Sequence, residues 1–286
     1  MGIGKERPQI GKSAGRQIGK SKRRRLELGV GSRKGGKRVG HFSSRITDEV
    51  RLERMRPAQI DSAQKRRSAI YVPFGAMEWH GYHNPVGLDC LKAHEQLVGL
   101  ALKSGGVVYP PVYFGSGGGH GDWPHSYMVS EKAMTTIVSE LLIGFARDGY
   151  EATILLSGHY PNRGQYLDAG IQVFREQGGT MRVLAILENQ LEGVDGDHAA
   201  KYETSSLMFL DPDTQDLTTF KNEDDVGGPD DKVNWMDPSF EGHPCYGLVG
   251  IDPRKYATDS VGRASSQHLI EGLEAWLEGK EEIVGS

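Results

Sequence analysis

Cysteine is scarce in this sequence and long apolar runs are missing, and each shortage excludes a class. Two cysteines, Cys90 and Cys245, in 286 residues cannot build a disulfide framework or a Cys-rich zinc module. No window approaches the ~18–20 continuous apolar residues of a membrane-spanning helix. No apolar stretch follows the basic first 40 residues, so a secretory signal is not expected. A cytoplasmic protein without a membrane partner is the expectation. Large apolar residues are also nearly absent from residues 1–40, which hold ten glycines and 13 basic residues. Such a segment cannot offset its ordering entropy and reads as disordered.

The formal net charge of −4 averages two unlike parts: residues 1–67 carry +14 and residues 68–286 carry −18. We read a basic arm, residues 1–54, joined to an acidic body, residues 55–286, long enough to bury one full core. Gly11-Lys12-Ser13 and Gly19-Lys20-Ser21 look like pieces of a phosphate loop. Only three residues separate Gly15 from Gly19, and no strand precedes, so that reading fails. The run Lys22-Arg23-Arg24-Arg25 can contact nucleic acid or anionic lipid. A solvated tail, or untranslated sequence upstream of a start at Met55, is the plainer reading.

The body alternates strand and helix. Apolar, β-rich runs lie at 69–74, 107–114 (broken by Pro110 and Pro111), 152–156 and 181–187. Helical patterns lie at 90–103, 131–147, 163–177 and 260–279, and Asp197 is placed to cap a helix running to Leu210. Residues 211–258 read as mostly loop. This order predicts an α/β fold, a mostly parallel sheet with helices on both faces. Ligands of such sheets bind beyond the carboxyl ends of the strands.

Seven of the ten histidines fall between His80 and His198. The segment GAMEWHGYHNPVGLD (75–89) follows the first strand and offers Glu78, His80, His83 and Asp89. The segment SGHYPN (157–162) follows the strand at 152–156 and offers His159. Carboxylates mixed with imidazoles suit a divalent ion such as Zn²⁺ or Mn²⁺, and one carboxylate can bridge two ions. Ordinary core and surface histidines are the competing reading. His94-Glu95 begins a zincin helix, but Val98 stands where its second histidine belongs. Gly115-Ser116-Gly117 lacks the spacing of a nucleophile elbow. The loop GSGGGHG (115–121), with His120, either wraps a ligand or is plain surface. His83 supports a ligand through a hydrogen bond or sits in an exposed turn. Trp79 and Trp123 fill core space or wall a pocket.

In order, these blocks are PFGAMEWHGYHNPVGLD (73–89), YPPVYFGSGGGHGDWP (109–124), LLSGHYPN (155–162) and HAAKYETS (198–205). Together they resemble the creatininase (creatinine amidohydrolase) family, across the body from about Ile70 to the last helix. The resemblance implies a three-layer α/β/α sandwich, often homohexameric, with two divalent metals per subunit (Zn, Mn or Fe). It implies Glu78 and His159 on one metal, His80 on the other and Asp89 bridging. It also implies His198 in substrate contact and proton transfer, with Tyr160 and Ser116 near the substrate. Creatininase has a glutamate ligand where this chain has Pro161. The replacement is expected from Glu203, with Asp195 a further candidate, for that metal or for the substrate. Creatininase also has a tryptophan where this chain has Val194. The activity implied is hydrolysis of a non-peptide C–N bond in a small amide by a metal-held hydroxide. An unspecified small amide or lactam ranks before creatinine, and creatinine before a peptide. The competing reading is a non-catalytic member of the fold whose basic arm binds RNA or DNA.

Overall fold

The computed structural model describes residues 49–220 and 224–280. Expectations about the Gly-rich basic segment, residues 1–40, fall outside them. The packed body starts before Met55. Val50 is buried, and its carbonyl accepts a hydrogen bond from Val108 N at 2.8 Å. Helix α1, Pro57–Arg66, follows. Pro57 supplies a preset φ at its first position, and the Gln59 side chain accepts from Arg56 N. Only Ala63 of this helix is buried, so its sequence shows no apolar stripe.

Four parallel strands form the main sheet: β1 (Ala69–Phe74), β2 (Val107–Val108), β3 (Ala152–Ser157) and β4 (Arg182–Leu187), in the order β2-β1-β3-β4. Ala69 pairs with Ala152 and Phe74 with Ser157, so β1 and β3 end level. Strand β2 is short and lies at the edge, as a run heading into Pro110-Pro111 must. Successive side chains alternate between two cores. Tyr71, Ile154, Leu156, Leu184 and Ile186 pack under helices α2 (Leu88–Ser104) and α7 (Asp259–Leu277). Ile70, Val72, Phe74, Leu155 and Val183 pack under α3 (Glu131–Arg147) and α4 (Asp168–Glu176). Burial on both faces explains why these strands read as unbroken apolar runs. The result is the expected three-layer α/β/α fold.

The chain leaves β1 toward β2 through α2 and returns through α3 to β3, on the other side of β1. The loops leaving β1 and β3 therefore diverge to opposite faces and open a crevice between them.

Three features differ from the sequence reading. The helix expected over 163–177 starts as a wide π-helical turn, Arg163–Leu167, before α4. Asp197 does accept from Tyr202 N and Glu203 N at 2.8 and 3.1 Å, but helix α5 begins only at Lys201 and runs to Leu210. The stretch 211–258 also holds an antiparallel ribbon, β5 (Lys232–Asn234) with β6 (Val249–Ile251), and the short helix α6 (Pro253–Tyr256). Three-residue strands are too short for a periodic signal.

Candidate metal centre

Glycines follow both adjacent strand ends. A Cβ at Gly75 would stand 2.5 Å from Cys90 N, and one at Gly158 would collide with the Asp89 carbonyl. Without side chains at these two points, the first turn of α2 sits directly on the ends of β1 and β3. Asp89, in that turn, is thereby set into the crevice.

The two carboxylate oxygens of Asp89 face different imidazoles. Oδ1 lies 3.1 Å from His80 Nε2, and Oδ2 lies 3.3 Å from His159 Nδ1. Glu78 Oε2 is 2.9 Å from His159 Nδ1. On the other side, Glu203 Oε2 is 3.6 Å from His80 Nε2. Three groups of converging ligand atoms result: Glu78, Asp89 and His159; His80, Asp89 and Glu203; and Glu78, His80 and His198. The first two share Asp89, and all five of their residues are buried. His80 Nδ1 is 3.0 Å from the Glu78 carbonyl. A carbonyl only accepts, so Nδ1 carries the hydrogen and Nε2 is left as a lone pair for a cation.

The electrostatics ask for positive charge. Burial pushes His80 down, but Asp89, Glu203 and Glu78 outweigh it and hold its pKa up at about 9. For His159 the same balance, set by Asp89 and Glu78, gives about 10. Burial alone would raise Asp89, yet the two imidazoles keep it well below the usual carboxylate range. His80 Nε2 and Asp89 Oδ2 are buried without a hydrogen-bond partner. Three carboxylates, two imidazoles and orphaned donor atoms among them fit divalent cations.

His198, just before α5, is half-buried and brings a ring nitrogen within reach of Glu78 and His80. Its backbone pairs with Val249 of β6, N to O at 2.9 Å and O to N at 3.0 Å, so the ribbon holds it in place. Its ring stacks between His80 (centroids 4.6 Å apart) and His120 (3.8 Å). Nε2 donates to the Trp79 carbonyl at 2.9 Å, which leaves Nδ1 as the nitrogen able to take a proton. Burial first, then His80 and His120, hold its pKa well below the ordinary imidazole value, so the ring is neutral near pH 7.

Tyr160 and Pro161 line the crevice with His120, Asn189, Met236 and Val249, around a cavity of about 400 Å³. Ser116 does not line it; its hydroxyl bonds Gln165 Oε1 at 3.1 Å. Asp195 is not in the ligand cluster and hydrogen-bonds Tyr202. His83 is buried, with Nε2 2.9 Å from Thr204 Oγ1 of α5, and burial drives its pKa down to about 3. Burial rules out the exposed turn, but the hydrogen bonds of His83 run to Thr204 and Asn84 and not to a candidate ligand. Trp79 and Trp123 pack on each other and on Tyr246, away from the cavity lining.

Sequence reasoning passed over Asn162 and Lys92. The Asn162 amide accepts from Ser116 N and donates to the Gly75 carbonyl and Ser157 Oγ, tying three loops together. Its place in the SGHYPN segment was the available signal. For Lys92 the signal was a cation on the helix three residues after Asp89, on the same face as Asp89 and Gln96.

The sequence profile of the creatininase family, described as creatinine amidohydrolase, matches residues 53–277. The chain belongs to the creatininase family. It is 26% identical to the creatinine amidohydrolase of Pseudomonas putida over 222 residues, 69% of this chain and 78% of that protein. A 3-dehydro-scyllo-inosose hydrolase of Thermotoga maritima is 30% identical over 111 residues, 38% of this chain and 36% of that protein. A mycofactocin precursor peptide peptidase of Mycolicibacterium smegmatis is 28% identical over 154 residues, 50% of this chain and 58% of that protein. Crystal structures agree on the fold. A creatininase superposes with a TM-score of 0.65 at 20% identity, over 84% of this chain and 100% of that one. A manganese creatininase gives 0.63 at 22%, over 81% and 98%. The creatininase-family chain is a metal-dependent hydrolase, and its carboxylate–imidazole cluster suits a divalent metal.

Proposed function

We propose that this creatininase-family protein is an amidohydrolase that cleaves a non-peptide C–N bond of a small neutral amide, using two divalent cations per chain. The observation that carries the reading is Asp89, whose two oxygens serve two different imidazoles. Glu78, Asp89 and His159 would hold one ion, and His80, Asp89 and Glu203 the other. Glu78, Asp89, Glu203 and the adjacent Glu188 bring four carboxylates to the single ammonium of Lys92, a negative surplus suited to divalent cations.

When bound, such ions supply an activated water and polarise the substrate carbonyl. The chain's own residues do the rest. His198 is neutral with Nδ1 unprotonated, so it takes a proton during attack and returns it to the leaving nitrogen. Tyr160 and Met236 wall the cavity, whose volume suits a small molecule rather than a folded peptide. Among the described residues no lysine or arginine lines it, so a neutral amide is favoured over an acid. A lactam or other small amide ranks first, creatinine second, a peptide third.

Two buried free thiols, Cys90 and Cys245, suit a reducing cytoplasm. Exposed Tyr82, Phe114 and Tyr127 suit contacts between copies in a homo-oligomer such as a hexamer.

Metal analysis of the purified protein tests the reading, with assays on a panel of neutral amides, creatinine and peptides. Two ions per chain and metal-dependent hydrolysis of a small amide are expected. Near-zero zinc, manganese and iron, with no activity restored by added metal, would overturn it.

A further inference from the structure

Glu203 has a second partner that lies behind the candidate metal centre. Lys92 stands on α2 three residues after Asp89, on the same side of the helix. Its ammonium is buried, 2.7 Å from Glu203 Oε1 and 2.6 Å from Glu188 Oε2, with the Tyr160 ring centre 5.3 Å away. Glu188 follows directly on β4, in the short turn Glu188–Gln190, so the sheet fixes the far end of this chain of charges.

Stability does not explain the arrangement. Burying an ammonium between two carboxylates is at best neutral against a well-packed apolar side chain of similar size. Its effect on Glu203 is more specific. Lys92 occupies Oε1. The other oxygen, Oε2, accepts from Ala199 N at 2.7 Å and faces His80 Nε2. A carboxylate held this way can neither rotate nor offer both oxygens to one cation.

Resting on the two-ion reading above, we propose that Lys92 is a positioning residue for the second metal position. It clamps Oε1 so that Glu203 presents Oε2 alone, and Glu188 anchors Lys92 in place. Asp89 and Lys92 thus act from one helix turn, the first on the ions directly and the second through Glu203.

The test is a zinc titration of metal-free full-length protein against a competing chromophoric chelator, resolving two dissociation constants. It is run beside thermal melts for wild type, Lys92→Met and Glu188→Gln. Wild type is expected to bind two ions. Lys92→Met should keep its tighter site within about twofold and weaken the other ~10–100-fold, the usual scale for residues that orient a ligand. Glu188→Gln should weaken the same site by less. A purely structural role would lower the melting temperature and leave both constants unchanged, which overturns the proposal. So would a second site that tightens in Lys92→Met, because removal of the ammonium's repulsion would then outweigh loss of the clamp. Both constants weakening together would overturn it too. If Lys92→Met does not fold, Glu188→Gln decides: an unchanged second constant overturns the clamp. A wild type that binds fewer than two ions overturns the two-ion reading and this inference with it. A wild type that binds two while Lys92→Met also binds two unchanged overturns only the role of Lys92.

Discussion

The two halves of the cluster are built by different means. Glu78 and His159 come from loops that leave neighbouring parallel strands, four and two residues past ends that lie level in the sheet. Backbone register alone brings them together. Glu203 comes from a helix more than a hundred residues further on than Asp89, and reaches His80 only through side-chain contacts to Lys92 and Ala199 N. The first half is specified by the sheet, the second by a hydrogen-bonded network. The difference says which half tolerates substitution and which is sensitive to its surroundings.

The largest effect should come from the sheet-built half. His159→Ala removes a group shared by Glu78 and Asp89. Metal content should fall and kcat/KM drop by roughly three orders of magnitude or more, the scale of losing an activated water. Circular dichroism should report an intact fold. A variant with normal metal content would break the assignment.

Glu203→Gln should act on the network-built half. One ion per chain is expected to remain by elemental analysis. The melt should also reveal a loss of about 3 kcal/mol, because Lys92 loses one of its two buried counter-charges. Loss of both ions would mean that the halves are not separable.

Protons should compete for both halves. His80 and His159 are held up at about 9 and 10, so both are protonated at pH 7.5 in the metal-free protein. Zinc binding should then expel about two protons per chain, read by calorimetry in buffers of different ionisation enthalpy. Affinity should rise with pH and level off near 10. In the metal-free protein the sign reverses. Raised imidazole pKa values give stability that is complete below the ordinary value of 6.5 and fades as pH climbs through 9 to 10. Metal-free melting temperatures should therefore fall over that window.

The smallest effect is expected from a chain starting at Met55. It loses Val50 and its hydrogen bond to Val108, about 2 kcal/mol of burial. Both zinc constants should stay as in the full chain, since this edge is remote from either half.

The same contrast governs what could be read from the residues. Strands at 69–74, 152–157 and 182–187 stood out as unbroken apolar runs because both their faces are buried, and the helix at 131–147 because burial of one face imposes a period. So did the strand-end residues Glu78, His80, Asp89 and His159. Helix α1 did not, since a helix burying only Ala63 has no stripe to show. The roles of Lys92 and Glu188 did not either, because a pairing between distant elements leaves no local spacing. Asp195 and Glu203 were both candidates for the second position, and spacing alone did not separate them. The late start of α5 does, since His198 and Ala199 N then lie ahead of the helix and the first turn turns Glu203 inward.

Asn162 has a consequence for how a substrate gets in. One carboxamide fastens the chain after β1, the loop at Ser116 and the end of β3 to each other. That side of the crevice behaves as an anvil. Met236 and Val249 also line the crevice, and they come from the loop-and-ribbon segment rather than from the three tied loops.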